Sequence, residues 1–348
     1  MRTGLLVLPS RPARELADLA AHAEALGYDD FWVADERFFR EVYSVLTLAA
    51  TRTTRMRLGP CVTDPFSRHP ALTAMAIATL DDVSGGRAVL GIGAGVSGFR
   101  ELGLGAEGSA TAIREGVEVI RRLLAGERVT FAGKRVSLVG GALDFAPPRA
   151  DLPVYVASQR EAGCRVAGRL ADGAIMQGCV ARPLLRFFRE AVAQGARRAA
   201  RSPERVELVA RLNVCIADDR KAARDLMRPG IVRSLVAQRP DFFTFHMAGG
   251  VVSHALREQV LRLPYTHDPA PLMAVAPLVP DELVDAVTLT GPPAVVASEV
   301  VRLAAGGIGQ VMILAVGPDG GRSTIERFQT EVMPRVREAL GVSSQGRS

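Results

Sequence analysis

Short, continuous apolar runs alternate with helix-period segments from the first residues of the chain, and that rhythm restricts the fold more than any other feature. GLLVL (4–8), FWVAD (31–35), MRLGPCVT (56–63), RAVLGIG (87–93), PVYVA (153–157), GAIMQG (173–178), VELVARLNVCIA (206–217) and QVMILAV (310–316) read as eight strands. Between them, Pro12–Gly27, Glu41–Arg52, Ala71–Val83 and Thr111–Leu124 carry helical periodicity, and a last helix covers 323–340. Strands that are apolar along their whole length are buried on both faces, a property of parallel strands flanked by helices. Eight such units in 348 residues predict an α/β fold, a (β/α)8 TIM barrel. The competing architecture is a doubly wound open sheet.

Two segments interrupt the rhythm. VTFAGKRVSL (129–138) reads as a hairpin. The stretch from Arg228 to about Ala286, rich in proline and containing DFFTFH, reads as an insertion before the last strand, or else as a second domain. The expected organisation is one barrel domain over 1–342, with an insertion about 228–286, and a polar tail SSQGRS at 343–348.

Composition narrows the function by exclusion. The formal charge is +6, but acids are interleaved with the arginines, lysine stands only at 134 and 221, and no basic block carries interleaved aromatics. Nucleic acid is therefore not an expected partner, whereas a modest positive field suits an anionic cofactor or substrate. The N-terminal apolar run is too short for a signal peptide, and no stretch reaches the roughly 20 apolar residues that span a bilayer. Cys61, Cys164, Cys179 and Cys215 show no metal or disulfide spacing, so a cytoplasmic chain with reduced thiols is expected.

The usual catalytic signatures are missing. Gly93-Ala94-Gly95-Val96-Ser97-Gly98 spells the dinucleotide GxGxxG, but helical periodicity resumes only near Ser109, too late to offer N–H groups to a pyrophosphate. Neither lysine lies at a strand end, the five histidines lack metal-ligand spacing, and GxSxG is absent. A barrel with so little chemistry of its own borrows a cofactor. Its strand ends offer Asp35-Glu36, Cys61-Val62-Thr63-Asp64, Gly91-Ile92-Gly93, Ala157-Ser158-Gln159 and Gln177-Gly178-Cys179. Small hydrogen-bonding residues of this kind suit a flat heteroaromatic ring.

VADERFFREVYSVLTLAA (33–50), LGPCVTDPFSRHPALTA (58–74), SGGRAVLGIGAG (84–95), LPVYVASQ (152–159) and ADGAIMQG (171–178) resemble the bacterial-luciferase-like superfamily, and most closely its methylenetetrahydromethanopterin reductase branch. The resemblance implies a barrel that binds coenzyme F420, a deazaflavin, or alternatively FMN, at the C-terminal strand ends. It implies a non-prolyl cis peptide at Cys61–Val62, backing the ring. It places Asp35 at the polar edge of the ring, Thr63 and Gly93 along the cofactor, and Ala157, Ser158, Gln159, Gly178 and Cys179 around its ribityl phosphate. A homodimer is implied as well. Two departures stand out: Leu6 replaces a strand-one glutamate of the reductase, and Glu36 replaces the histidine that many deazaflavin enzymes carry after the aspartate. Glu36 thereby becomes the candidate proton donor or acceptor, with Asp35 and His69 as further catalytic candidates, while Arg68-His69 also reads as a packed structural pair.

Three functional readings follow. One is F420-dependent hydride transfer to or from a small organic metabolite. The second is FMN-dependent monooxygenation with O2, served by a flavin or F420 reductase. The third is a non-catalytic flavin-binding relative. Phe242, Phe243, Phe245, His246 and Tyr265 are candidates for the substrate pocket, a packed subcore or a dimer contact.

Overall fold

The computed structural model describes residues 1–95 and 97–341. Val96 of the glycine-rich segment and the tail at 343–348 lie outside the described residues. The chain forms two compact units, one of residues 2–175 and 190–208, the other of Met1, 176–189 and the part from Val209 onward.

The larger unit begins with β1 (Arg2–Val7), α1 (Ala13–Leu26), β2 (Asp30–Val33), α2 (Val42–Ala50), β3 (Arg57–Pro60), α3 (Pro70–Ser84), β4 (Leu90–Ile92) and α4 (Ser109–Leu124). The hairpin β5 (Val129–Ala132) and β6 (Ser137–Gly141) follows, then β7 (Val154–Ala157), α5 (Glu161–Leu170) and β8 (Gly173–Gln177). β1 pairs with β2, β2 with β3, β4 with β7 and β7 with β8, all parallel, while bridges Leu58↔Ala88 and Thr63↔Ile92 join β3 to β4. Each strand thus lies beside the next of its kind in the chain, the order of a (β/α)8 barrel. A doubly wound sheet reverses its order at a switch point, and these strands do not.

The second unit holds the N-terminal half of α6 (Arg182–Arg198), then β9 (Glu207–Ile216) from Val209 on, α7 (Arg220–Ala237), α8 (Phe243–Met247), α9 (His254–Arg262), α10 (Pro269–Val275), α11 (Asp281–Val287), β10 (Thr288–Gly291), α12 (Pro293–Ala305), β11 (Gln310–Ala315), α13 (Arg322–Arg327) and α14 (Met333–Ala339). β9 pairs in parallel with both β10 and β11. β10 is an addition to the eight strands expected from the sequence: TLTG is only four residues long and abuts two prolines, so it carries little periodicity. The insertion is helical: it takes in the C-terminal part of the 18-residue α7, which Asp219 caps, and shorter helices, two of them capped by Ser253 and Asp268. Ile231, Leu235, Phe242, Phe245, Leu256 and Leu283 form its apolar core.

Two buried carboxylates hold the larger unit. Asp30, at the start of β2, accepts from Arg57 Nε at 2.6 Å and Nη2 at 3.0 Å and from Arg2 Nη2 at 2.5 Å. Arg57 also donates to Tyr155 OH at 3.3 Å, and Tyr155 OH to Glu207 Oε2 at 2.5 Å, so Arg2, Asp30, Arg57, Tyr155 and Glu207 form one network. This is the N-terminal face, where conservation of geometry serves stability in barrels.

Glu115 of α4 is buried and accepts from the backbone N–H groups of Lys134, Arg135 and Val136, clamping the hairpin. Burial pushes its carboxyl up, but the three N–H donors outweigh that and hold it below the ordinary 4.5. A depressed folded value stabilises the fold above pH 4.5, and the contribution is lost as pH falls through that lower value. We expect amides of 129–141 to lose hydrogen-exchange protection on acidification before the barrel strands do. Glu115→Gln, which leaves N–H groups short of acceptors, should cost about 1–3 kcal/mol at pH 7. Equal protection in variant and wild type would show that the clamp is idle.

Candidate active site at the strand ends

Asp35 leaves β2 with its side chain 14% exposed. Burial pushes its carboxyl above 3.8, and the Arg37 guanidinium and the Thr63 hydroxyl only partly offset that. Arg37 knits this corner together. It ion-pairs with Asp64, donates to the backbone carbonyl of Asp35 and to Ser67 Oγ at 2.5 Å, and lies 3.8 Å from Asp35 Oδ1. Its own N–H donates to Ser97 Oγ at 3.3 Å. Asp64 is fully buried and accepts from Phe66 N at 2.8 Å and Ser67 N at 2.7 Å, which is why the chain after β3 turns so sharply at DPFS. Asp64 was among the strand-end groups the sequence offered, whereas Arg37 and Ser97 escaped the sequence reading. The aspartate-proline pair was the available signal for the turn, and nothing local marked the arginine.

The peptide bond Cys61–Val62 is cis, as the resemblance implied. Thr63 N–H donates to Gly91 O at 3.0 Å and Gly93 N–H to Thr63 O at 2.9 Å, fastening the bulge to β4. A Cβ on Gly93 would lie 2.7 Å from Val62 Cγ2 and 3.2 Å from Ala157 O, so only glycine lets these three strand ends meet. Thr63 Oγ1 is buried between the Asp35 carboxyl, which it helps to hold down, and the Tyr43 phenol, in full hydrogen-bond geometry with neither. The Tyr43 ring carries Arg68 at 4.9 Å, and burial pushes its phenol well up. Buried hydroxyls held loosely beside a raised carboxyl can turn to a ligand. No helix opens among the described residues of the glycine-rich segment, so the dinucleotide motif is spelled but not built.

At β7 the half-buried Ala157, Ser158 and Gln159 precede α5. Ser158 Oγ accepts from Arg160 N at 3.0 Å, and a Cβ on Gly163 would lie 2.2 Å from that oxygen. No side chain caps α5, which leaves its first N–H groups to an anion. Glu36 is half-buried beside Arg37.

His69 is exposed and caps α3. Its Nδ1 accepts from Ala71 N at 3.1 Å, which leaves Nε2 to donate to Ser137 O at 2.9 Å. This geometry belongs to the structural reading of Arg68-His69.

In the second unit, Gly178 adopts a left-handed conformation and donates to Arg211 O at 2.9 Å, while Cys179 is fully buried. A small cavity there is lined by Gln177, Asn213, Ser234, Gln238, Thr244 and Phe245 among others. Gln177 Nε2 donates to Ser234 Oγ at 3.1 Å, and Asn213 Oδ1 and Thr244 Oγ1 are buried without a hydrogen-bond partner. Phe242 is not a pocket wall: it is fully buried in the helical core, where His246 packs edge-on at 6.2 Å. Phe245 faces the small cavity, His246 is exposed, Phe243 stacks edge-on with Phe187 at 5.2 Å, and Tyr265 leans on the same core.

The chain matches the luciferase-like monooxygenase family over residues 1–310. It is 32% identical to a 5,10-methylenetetrahydromethanopterin reductase of Archaeoglobus fulgidus, with 97% of this chain and 100% of that protein covered. It is 29% identical to an F420-dependent glucose-6-phosphate dehydrogenase of Intrasporangium calvum, covering 93% and 95%. The solved structure of the coenzyme F420-dependent tetrahydromethanopterin reductase of Methanopyrus kandleri superposes with a TM-score of 0.84 at 28% identity, covering 96% of this chain and 99% of that one. Sequential parallel strands, the cis bulge and this match along nearly the whole chain agree: the protein is a (β/α)8 barrel that belongs to the luciferase-like monooxygenase family.

Proposed function

We propose that the chain is a coenzyme F420-dependent oxidoreductase acting on a small organic metabolite. The observation that carries this reading is the corner built by Asp35, the Cys61–Val62 bulge and Gly93, with the Thr63 hydroxyl buried beside the raised carboxyl. That corner fits a flat ring with a hydrogen-bonding edge. Val62 would back the ring, Thr63 and Asp35 would meet its polar edge, Gly93 would leave room for it, and Ala157, Ser158 and Gln159 would hold the ribityl phosphate through small side chains and backbone N–H groups. A bound deazaflavin supplies or accepts a hydride. The protein's own part is to exclude water, to fix the ring and to move one proton. Asp35, whose carboxyl burial makes easier to protonate, is the group best placed for that transfer. Glu36, half-buried beside Arg37, is the neighbouring carboxyl that can relay the proton outward.

Named relatives reduce a methanopterin or oxidise a sugar phosphate. Leu6, apolar and buried in β1, offers neither substrate a carboxylate, which favours a different small metabolite. Leu72, Met75 and Val83 stand exposed along one side of α3, a stripe suited to a second copy of the chain and hence to a homodimer. Four free thiols and no helix, among the described residues, long and apolar enough to cross a membrane are compatible with a cytoplasmic enzyme.

Titration of the protein with oxidised and reduced F420 and, separately, FMN tests the reading. Saturable F420 binding without an FMN response supports it. Binding of reduced FMN alone moves the enzyme to oxygen chemistry with a partner reductase, and binding of neither overturns it. Gly93→Ala should weaken F420 binding and destabilise the fold by about 1–3 kcal/mol through overpacking; F420 affinity unchanged in that variant would place the ring elsewhere.

A further inference from the structure

Phe38 departs from ordinary packing twice. Its side chain is 74% exposed, more than any other aromatic among the described residues, and its backbone is left-handed, with φ 68°. The turn that holds it is closed by Phe39 N–H, which donates to Glu36 O at 3.3 Å. Phe38 takes the third position of that turn, where a positive φ calls for glycine or asparagine. The other two non-glycine residues with positive φ, among the described residues, serve helix ends: Ala200 follows α6, and Phe242 opens α8 with its ring buried. Arg37, next to Phe38, shows the reverse arrangement. It is 9% exposed, pinned by Asp64 and Ser67, and its guanidinium lies 5.8 Å from the Phe99 ring, which in turn meets Phe66 edge-on at 5.8 Å. The turn therefore buries a cation and sets a phenyl ring in water. A Cβ on Gly98 would lie 3.1 Å from Phe38 Cε2, so the ring rests on the loop that follows β4, where Ser97 Oγ accepts from Arg37 N–H.

A bulky side chain held at positive φ is strained, and strain of this kind persists where a ligand uses it. Here it turns a ring to solvent three positions after Asp35. We propose that Phe38 is a specificity-determining residue, which receives a flat apolar group of the substrate, an aryl or cyclohexyl ring, while the polar end of that substrate reaches toward Asp35. The inference rests on the F420 reading above and narrows its substrate to an uncharged molecule. The arginines of this segment are already engaged: Arg37 by Asp64, Ser67 and the Asp35 carbonyl, Arg40 by the carbonyls of Pro9 and Ser10, and Arg68 by Glu41. What this rim turns outward is an apolar ring. Contact with one phenyl ring should strengthen binding by about tenfold.

Acetophenone and acetone share a carbonyl and differ by the aryl ring, and calorimetric titration of each into the F420-saturated protein tests the proposal. Acetophenone should bind more tightly by about tenfold. That preference should vanish in Phe38→Asn and persist in Phe38→Tyr. Asparagine tolerates a left-handed backbone, so Phe38→Asn should melt at the wild-type temperature or above it. A lower melting temperature would make the ring part of the packing and overturn the proposal. A preference that survives in Phe38→Asn, or is missing from the wild type, overturns it too. So does a dimer that dissociates in Phe38→Asn, which would hand the ring to a second copy of the chain. Failure of the wild type to bind F420 removes the cofactor reading and this one with it, whereas F420 binding without an aryl preference removes this one alone.

Discussion

Asp35→Asn should lower turnover by on the order of 10²-fold or more while making the protein more stable at neutral pH. Both effects come from one observation: burial, opposed only in part by Arg37 and the Thr63 hydroxyl, pushes the Asp35 carboxyl above 3.8. A carboxyl that binds its proton more tightly folded than unfolded loses the fold stability as pH rises from 3.8 through the raised value, and the deficit persists above it. The amide cannot ionise, so the variant escapes the deficit, and a buried site made for function is relieved at the expense of activity. Thermal unfolding of wild type and variant from pH 4 to pH 8 reads the stability arm: the gap between them should open as pH rises. The pH profile of turnover reads the other arm, and the limb that reports Asp35 should vanish in the variant. An unchanged profile with unchanged turnover would reduce Asp35 to a packing residue. Glu36→Gln is the companion measurement. A loss there with Asp35→Asn fully active would move the proton transfer one residue along the chain.

Asp30→Ala is expected to destabilise the fold by about 3–5 kcal/mol, because removing one member of a buried pair strands the charge of the other. Asp30 is fully buried between Arg2 and Arg57, and Arg57 in turn holds Tyr155 and through it Glu207. Without the aspartate, two guanidinium groups face each other across the base of β1, β2 and β3 with no counter-charge. Denaturant unfolding measures the loss, and F420 affinity under folding conditions should remain close to wild type, since the network lies at the opposite strand ends from Asp35. A loss below 1 kcal/mol would show that water already satisfies the arginines. Leu6→Glu offers a contrast at the other face: a carboxylate placed in a fully apolar strand should destabilise strongly unless a ligand or partner charge meets it.

Periodicity made most of the architecture legible, because a run such as GLLVL has no polar position and must be covered on both faces. The alternation with helices then leaves few folds. Glycine and proline marked the ends: the helix from Ala13 stops at Gly27, and β3 stops at Pro60, short of the expected Thr63. Asp35, Thr63, Gly93 and Ala157 could be nominated because strand C-termini converge in a barrel whatever their distance in sequence. What periodicity cannot register is a contact between side chains far apart in the chain. Ser97 and Arg37, 60 residues apart, meet only after β2 and β4 are in place. Phe242 and Tyr265 carry the same aromatic signal, yet packing buries one wholly and the other in part. The four residues of β10 acquire strand geometry from β9 rather than from their own pattern.

The sequence by itself therefore determined the class of fold and the family, and nominated the strand ends proposed for the site, since each rests on local pattern: buried runs, turn residues and short motifs. Tertiary structure alone decided which carboxylates are buried and which distant groups come within reach of them. Those properties depend on how much water each group loses and on which distant group replaces it, and neither quantity exists until the chain is folded.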